Sequence, residues 1–181
     1  MDFPPEELET TRLRLRRPTI EDAEAAFESY AGDPKITYYM TWSPHSSAAQ
    51  TREFFQQTID AWDLRMGHRV WLIERKGDGV LMGTIGCTVL LHRVEVGFAL
   101  GSRFWGKGYM PEALAKVCEA AFADERIARV QALCDEENRQ SSRVMQKVGM
   151  RYEGRLRKYG SHPNRSEHPR DCLMYSLVRG D

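Results

Sequence analysis

Positions 103 to 108 read Arg103-x-x-Gly106-x-Gly108, with Lys107 between the two glycines. These types at this spacing suit the capture of a phosphate. An apolar run, 94–100, leads in, and an amphipathic run follows from Tyr109. The first N–H groups of a helix have no intrahelical partner, and the helix dipole adds positive character at that end. Gly106 and Gly108 let the backbone approach a ligand with no Cβ in the way. Arg103 and Lys107 add full charges, so a diphosphate-bearing ligand is the natural guest. The spacing is neither the six-residue dinucleotide fingerprint nor a triphosphate loop ending in Lys-Ser/Thr. Taken alone, the two glycines fit a plain strand-to-helix connector equally well.

A second candidate is Glu95, a carboxylate on a strand otherwise made of Val, Gly, Phe, Ala and Leu. A period of two puts Glu95, Gly97 and Ala99 on one face, which leaves space beside the carboxylate. Such a group is either paired, with Arg93 or another neighbour, or available for proton transfer. Asn138, Ser141, Ser142 and Arg143 form a third polar group further along. A serine there serves equally as a helix cap or as a hydroxyl donor.

These residues need a scaffold, and the periodicities supply one. Leu13 and Leu15 alternate with arginines as a first strand, and Pro18 ends it. Thr19 caps a helix carrying Ala23, Ala26, Phe27 and Tyr30. Residues 31–45 read as a loop unusually loaded with Tyr38, Tyr39, Met40, Trp42 and His45. A second helix starts near Ser46 or Ser47 and runs to about residue 65. Strands follow at 70–74, 81–91 and 94–100, the first two joined by a hairpin turn at 76–79. After the helix at Tyr109 come a strand at 128–134, a short helix at 138–148 closed by Gly149, and strands near 150–156 and 172–177. The pattern is an α/β (α+β) fold: a mixed sheet of about seven strands with helices on both faces.

Composition narrows the function. The 181 residues suit one domain spanning 1–181. Lys plus Arg and Asp plus Glu are balanced at 26 each, which argues against a nucleic-acid face or a polybasic membrane anchor. Cys87, Cys118, Cys134 and Cys172 are widely spaced, so neither a disulfide framework nor a metal site is expected. His92, His162 and His168 read as surface histidines. The acidic start lacks a signal-peptide core and no apolar run reaches membrane length, so a cytoplasmic protein is expected.

Four segments together resemble the GNAT acetyltransferase superfamily. Residues 103–113 resemble its acetyl-CoA loop, Gln/Arg-x-x-Gly-x-Gly/Ala. Asn138-x-x-Ser141, ending in Lys147-x-Gly149, resembles its Asn-x-x-Ser helix. The opening Glu9-Thr-Thr-Arg12-Leu-Arg14-Leu-Arg16 and the tail around Tyr152-Glu-Gly154 and Arg170-Asp171 resemble the branch that acetylates N-termini of ribosomal proteins. The resemblance spans the chain in order. It implies a mostly antiparallel sheet with a splayed central strand pair. It also implies acetyl-CoA as co-substrate, with no metal.

It further implies that Phe98, Ala99 and Leu100 present a free strand edge to the pantetheine arm. Arg103, Gly106, Lys107, Gly108, Tyr109 and Met110 would hold the diphosphate, with Asn138 and Arg143 contributing to cofactor binding. The implied chemistry is direct attack of an amine on the thioester, with a backbone N–H near Leu100 as donor to the oxyanion, Glu95 as base and Ser141 as acid. Many members use a tyrosine as the acid; here that position aligns with Met145, which cannot donate. Tyr38, Tyr39 and Trp42, with Trp62, suggest an aromatic acceptor wall, and Arg155, Arg157 and Lys158 suggest room for a carboxylate. The acceptor is a protein N-terminus or a small amine, and a homodimer is possible. Two other readings stand beside this one: a CoA-binding sensor without chemistry, and a less favoured ATP-binding protein.

Overall fold

A computed structural model describes residues 3–181 and arranges eight strands in one sheet, ordered β1-β2-β3-β4-β5-β6-β8-β7. The strands are β1 (Glu7–Glu9), β2 (Leu13–Arg16), β3 (His68–Arg75), β4 (Leu81–Leu90), β5 (Arg93–Leu100), β6 (Arg129–Asp135), β7 (Arg151–Gly160) and β8 (Arg170–Val178). Only β5 and β6 run parallel. The strand beyond the expected seven is β1, an edge strand on β2. It carries one buried side chain, Leu8, which is too little alternation to read.

Helices cover both faces. On one lie α1 (Ala23–Ala26), continued by a π-turn at Phe27–Ala31, then α2 (Pro34–Thr37) and α3 (Ala48–Asp63). Their cluster packs Ala26, Tyr30, Phe55, Leu72 and Ala99. On the other lie α4 (Tyr109–Phe122) and α5 (Arg139–Lys147). There Trp71, Ile85, Leu114, Val117 and Met145 are fully buried or nearly so. Neighbours along a strand serve opposite cores: Trp71 and Ile73 join one, Leu72 the other. Burial of each large side chain contributes roughly 1.5–3 kcal/mol.

The loop expected over 31–45 contains α2, because the Asp33 side chain caps it by accepting from the Lys35 amide at 2.8 Å and Pro34 sits at its first position. Arg16 ties the first helix to the sheet, donating to Asp22 at 2.7 and 2.8 Å and to Glu74 at 2.8 Å. Among the described residues, no helix is long and apolar enough to cross a membrane.

One irregularity of the sheet positions everything that follows. β5 pairs with β4 to its last residue but with β6 only over residues 93–96, against 129–132. Past Val96 the two strands part. The Gly101 N–H donates to the Met82 carbonyl at 2.8 Å. Backbone groups alternate in direction along a strand, so those of Gly97 and Ala99 turn to β4, while those of Phe98 and Leu100 turn to the gap.

Candidate active site

Where the strands part, the sheet floors a cavity of about 630 Å³ on the side of α1 to α3. Glu95, Phe98 and Ala99 line it from β5. Leu133 and Cys134 line it from β6, and Asn138 and Ser141 from the start of α5. Tyr39 and Trp42 close the opposite side. The cavity thus gathers residues from well-separated parts of the chain.

Glu95 is half-buried, and its partner is not Arg93. The Gln131 side chain, across the parallel β5–β6 pair, donates to the Glu95 Oε2 at 2.9 Å. Arg129 donates to the Gln131 Oε1 at 2.9 Å, and its guanidinium grips Glu153 through both terminal nitrogens. On the other flank Thr88 stands opposite Glu95, and His68 opposite Thr88. His68 Nδ1 lies 3.2 Å from the Thr88 hydroxyl. A polar row therefore crosses four strands on one face. Gly86 makes room for it, since a Cβ there would stand 2.5 Å from His68 Nε2. The cavity walls desolvate His68, although the residue is open to solvent on one side, and this lowers its pKa against the opposing Glu95 charge; burial lowers that of His45 on the far wall.

The structure reassigns several residues. Asn138 caps α5, its side-chain oxygen accepting from the Ser141 amide at 3.1 Å, so neither serine is the cap. Ser142 lies 3.4 Å from the Cys134 sulfur, while Ser141 faces the cavity. Met145 is fully buried in the core rather than turned to the cavity. Tyr38 is 43% exposed and lies outside the lining, because its ring packs under the Arg165 guanidinium. Trp62 packs edge-on against Trp71 and leaves the acceptor wall. Arg155 donates to Asp171 and pairs with Glu136; neither it nor Arg157 nor Lys158 lines the cavity, which removes the expected carboxylate site. His162, read as a surface residue, is 4% exposed and bonds to the Tyr39 carbonyl.

The glycine loop lies at the far end of β5. A 3₁₀ turn at Ser102–Phe104 leads to Gly106 and Gly108, both left-handed at φ 76° and 79°. Side chains rarely adopt that conformation, so glycine is required at both. Arg12 secures the loop: it donates to the Lys107 carbonyl at 3.1 Å and to Glu112 at 2.6 Å, and lies 4.5 Å over the Tyr109 ring. In a trans peptide the N–H opposes the C=O, so the Gly108 amide points away from Arg12. Among the described residues, the amides of Gly106, Lys107 and Gly108 donate to no protein acceptor. Arg103 and Lys107 are exposed beside them without ion-pair partners among the described residues, and Arg103 rests on Phe104 at 4.8 Å. Met110 turns its side chain into the core and offers only its amide. Leu100 is likewise buried, its carbonyl accepting from the Trp105 indole at 2.7 Å. Arg143 is exposed on α5. No group of three or more His, Cys, Asp or Glu among the described residues is placed to hold a metal ion.

Gln131 and His68 escaped the sequence reading, which took His162 for a surface residue and noted His45 only among the large groups of its loop. Gln131 carried a faint signal, as a lone amide in an apolar strand; the histidines carried none.

Residues 12–151 match the family model described as an acetyltransferase (GNAT) domain. The N-acetyltransferase p20 of Bacillus licheniformis, itself uncharacterized, is 32% identical over 177 residues, covering 96% of this chain and 97% of p20. A GNAT-family acetyltransferase structure from Bacillus anthracis superposes with a TM-score of 0.84 at 26% identity, covering 97% of this chain and 99% of that one. RimL, a ribosomal L7/L12 α-N-protein acetyltransferase solved with coenzyme A, has the same fold, with a TM-score of 0.83 at 19% identity over 96% of this chain and 98% of its own. The match of the family model to most of the chain, together with a relative alike from end to end, places this protein in the GNAT family as an acetyl-CoA-dependent acyltransferase.

Proposed function

We propose that this chain transfers the acetyl group of acetyl-CoA to a primary amine by direct attack, with both substrates bound together and Glu95 as the proton acceptor. The amine belongs to a protein N-terminus or to a small molecule. The observation that carries this reading is the parting of β5 from β6 past Val96. A single strand thereby sets Glu95 in the cavity, free backbone groups in the gap, and the glycine loop beyond.

The residues fit acetyl-CoA, which supplies an activated acyl group when bound. Amides of Gly106, Lys107, Gly108, Tyr109 and Met110, with Arg103 and Lys107 as cations, would hold its diphosphate. Arg143 adds charge from α5. The edge at Phe98, Ala99 and Leu100 would pair with the amide-bearing arm as an added strand does. The Leu100 N–H faces the gap and is the donor for the acyl oxygen as negative charge builds there. A C–N bond forms as the C–S bond breaks, the nitrogen gives its proton to Glu95, and sulfur leaves as thiolate. Thiols ionise near 8.5, so the thiolate is a fair leaving group, and the Ser141 hydroxyl would protonate it. Asn138 positions Ser141 by capping α5, and Tyr39 and Trp42 form the acceptor wall.

Thiol release from acetyl-CoA with and without amines tests this reading. Acceptor-stimulated release is expected. Saturable binding with no stimulated release would leave a CoA-binding sensor instead. Gly108→Glu, checked for folding by circular dichroism, is expected to abolish acetyl-CoA binding in calorimetry, because it puts bulk and negative charge on the cradle. Unchanged affinity in that variant contradicts the cradle.

A further inference from the structure

The wall facing Glu95 differs from the glycine loop in its chemistry. Among the described residues no lysine, arginine or aspartate lines the cavity, and Glu95 is its one carboxylate. Trp42, His45, Phe54 and Met40 cover it from above. The three rings touch in series, Trp42 and His45 tilted at 5.4 Å and His45 and Phe54 edge-on at 6.0 Å between centroids. The floor is small: Gly86, Thr84, Thr88 and Gly97. A Cβ on Gly97 would meet nothing within 4 Å, so open space lies directly beside Glu95.

The two loops framing this side are bonded to each other. Asn164 Nδ2 donates to the Thr37 and Trp42 carbonyls at 2.7 and 2.8 Å. His162 Nδ1 lies 3.0 Å from the Tyr39 carbonyl. Arg165 stacks on Tyr38 and Tyr39 at 4.5 and 5.0 Å and also bonds the Tyr38 hydroxyl and Glu137. Separating the loops to admit a chain would break these contacts together.

We propose that the acceptor is a small amine with a flat apolar body and no carboxylate, and that polypeptide N-termini are poor substrates. This rests on the acetyl-transfer reading above. An ammonium group arriving here meets one carboxylate and several aromatic faces, both of which favour a cation. An acceptor carboxylate would lie beside Glu95 with no counter-charge, and like-charge juxtaposition is costly in a partly closed site. A peptide brings a new N–H and C=O with every residue, and the face made by Met40, Trp42, His45 and Phe54 offers them few partners.

Thiol-release kinetics with matched acceptors test the proposal. 2-Phenylethylamine and tryptamine are compared with phenylalanine and tryptophan, which add only the α-carboxylate, and with tetrapeptides beginning in Ala, Ser or Met. The arylalkylamines are expected to exceed both other classes by about 100-fold in kcat/KM. Comparable or better use of peptides, amino acids or hydrophilic polyamines overturns the proposal. A second arm uses His68→Lys, which places a cation in the cavity: phenylalanine use should rise about tenfold relative to 2-phenylethylamine, and an unmoved ratio also counts against it. Failure of the underlying reading is distinct, because acetyl-CoA would then bind in calorimetry with no amine of any class stimulating release.

Discussion

An amide held between an arginine and a carboxylate has no choice of orientation. Arg129 can only donate, so the Gln131 oxygen faces it, and the Gln131 nitrogen is left to donate to Glu95. One Glu95 oxygen is thereby fixed, and the carboxylate is aimed without a direct ion pair. That arrangement suits a base, since a close cation would disfavour proton uptake. Glu95→Gln is expected to lower kcat about 100-fold while sparing acetyl-CoA affinity, and to remove the acid limb of the pH–rate profile. An unaltered profile removes Glu95 as base. Gln131→Leu should slow turnover about tenfold with acetyl-CoA affinity unchanged, through lost positioning. Stopped assays paired with calorimetry separate the two quantities, and a loss confined to affinity would contradict the role.

At the scale of elements, the cradle is held from a distance. The turn between β1 and β2 brings Arg12 and Thr10 to α4, where the Arg12 amide and side chain and the Thr10 hydroxyl all donate to Glu112. Burial raises the Glu112 pKa, but the hydrogen bonds from Thr10 and Arg12 together outweigh it and leave it lowered. The same arginine pins the Lys107 carbonyl. A pre-set loop binds its ligand with less ordering cost. Arg12→Ala should therefore weaken acetyl-CoA binding about fivefold, with kcat at saturation retained. Calorimetry showing equal affinity would mean the two glycines hold the loop by themselves. The cradle glycines were legible in the sequence because positive φ is a local demand. Arg12 was legible only as part of a resemblance, since its role depends on a contact with α4.

Across the whole molecule, paired charges set the response to acid. Asp135 has a fully buried side chain gripped by Arg170, which also reaches Glu137 on the loop before α5. Burial raises the Asp135 pKa, but Arg170 and the Glu137 amide outweigh it and leave it lowered. Arg16 likewise leaves Asp22 lowered, and Arg129 brings Glu153 down to about 2. Each folded carboxylate binds a proton less readily than its unfolded form. The stability it adds is full above about pH 4 and is lost as pH falls. His45 and His68 are also lowered, by burial, so their contribution begins to fade below about pH 6.5. Melting temperature should decline gently below that point and steeply below about pH 4. A flat curve between pH 7 and 5 would mean the two histidines take up protons freely in the fold. Asp135→Ala, which leaves Arg170 with Glu137 alone, should cost about 3 kcal/mol in urea unfolding.

The sequence by itself determined every strand but β1, the longer helices, the turn at 76–79 and the glycine loop, because periodicity, caps and backbone conformation act over a few residues. It also singled out Glu95, a charge on an apolar strand. Only the tertiary structure decided what that charge touches. Register across the sheet chose Gln131 and Thr88 as its neighbours and set His68 one strand beyond. Loop packing turned Tyr38 outward and carried Arg155 off to Asp171. Those outcomes depend on contacts between residues far apart in the chain, and no local pattern encodes which distant side chain will arrive.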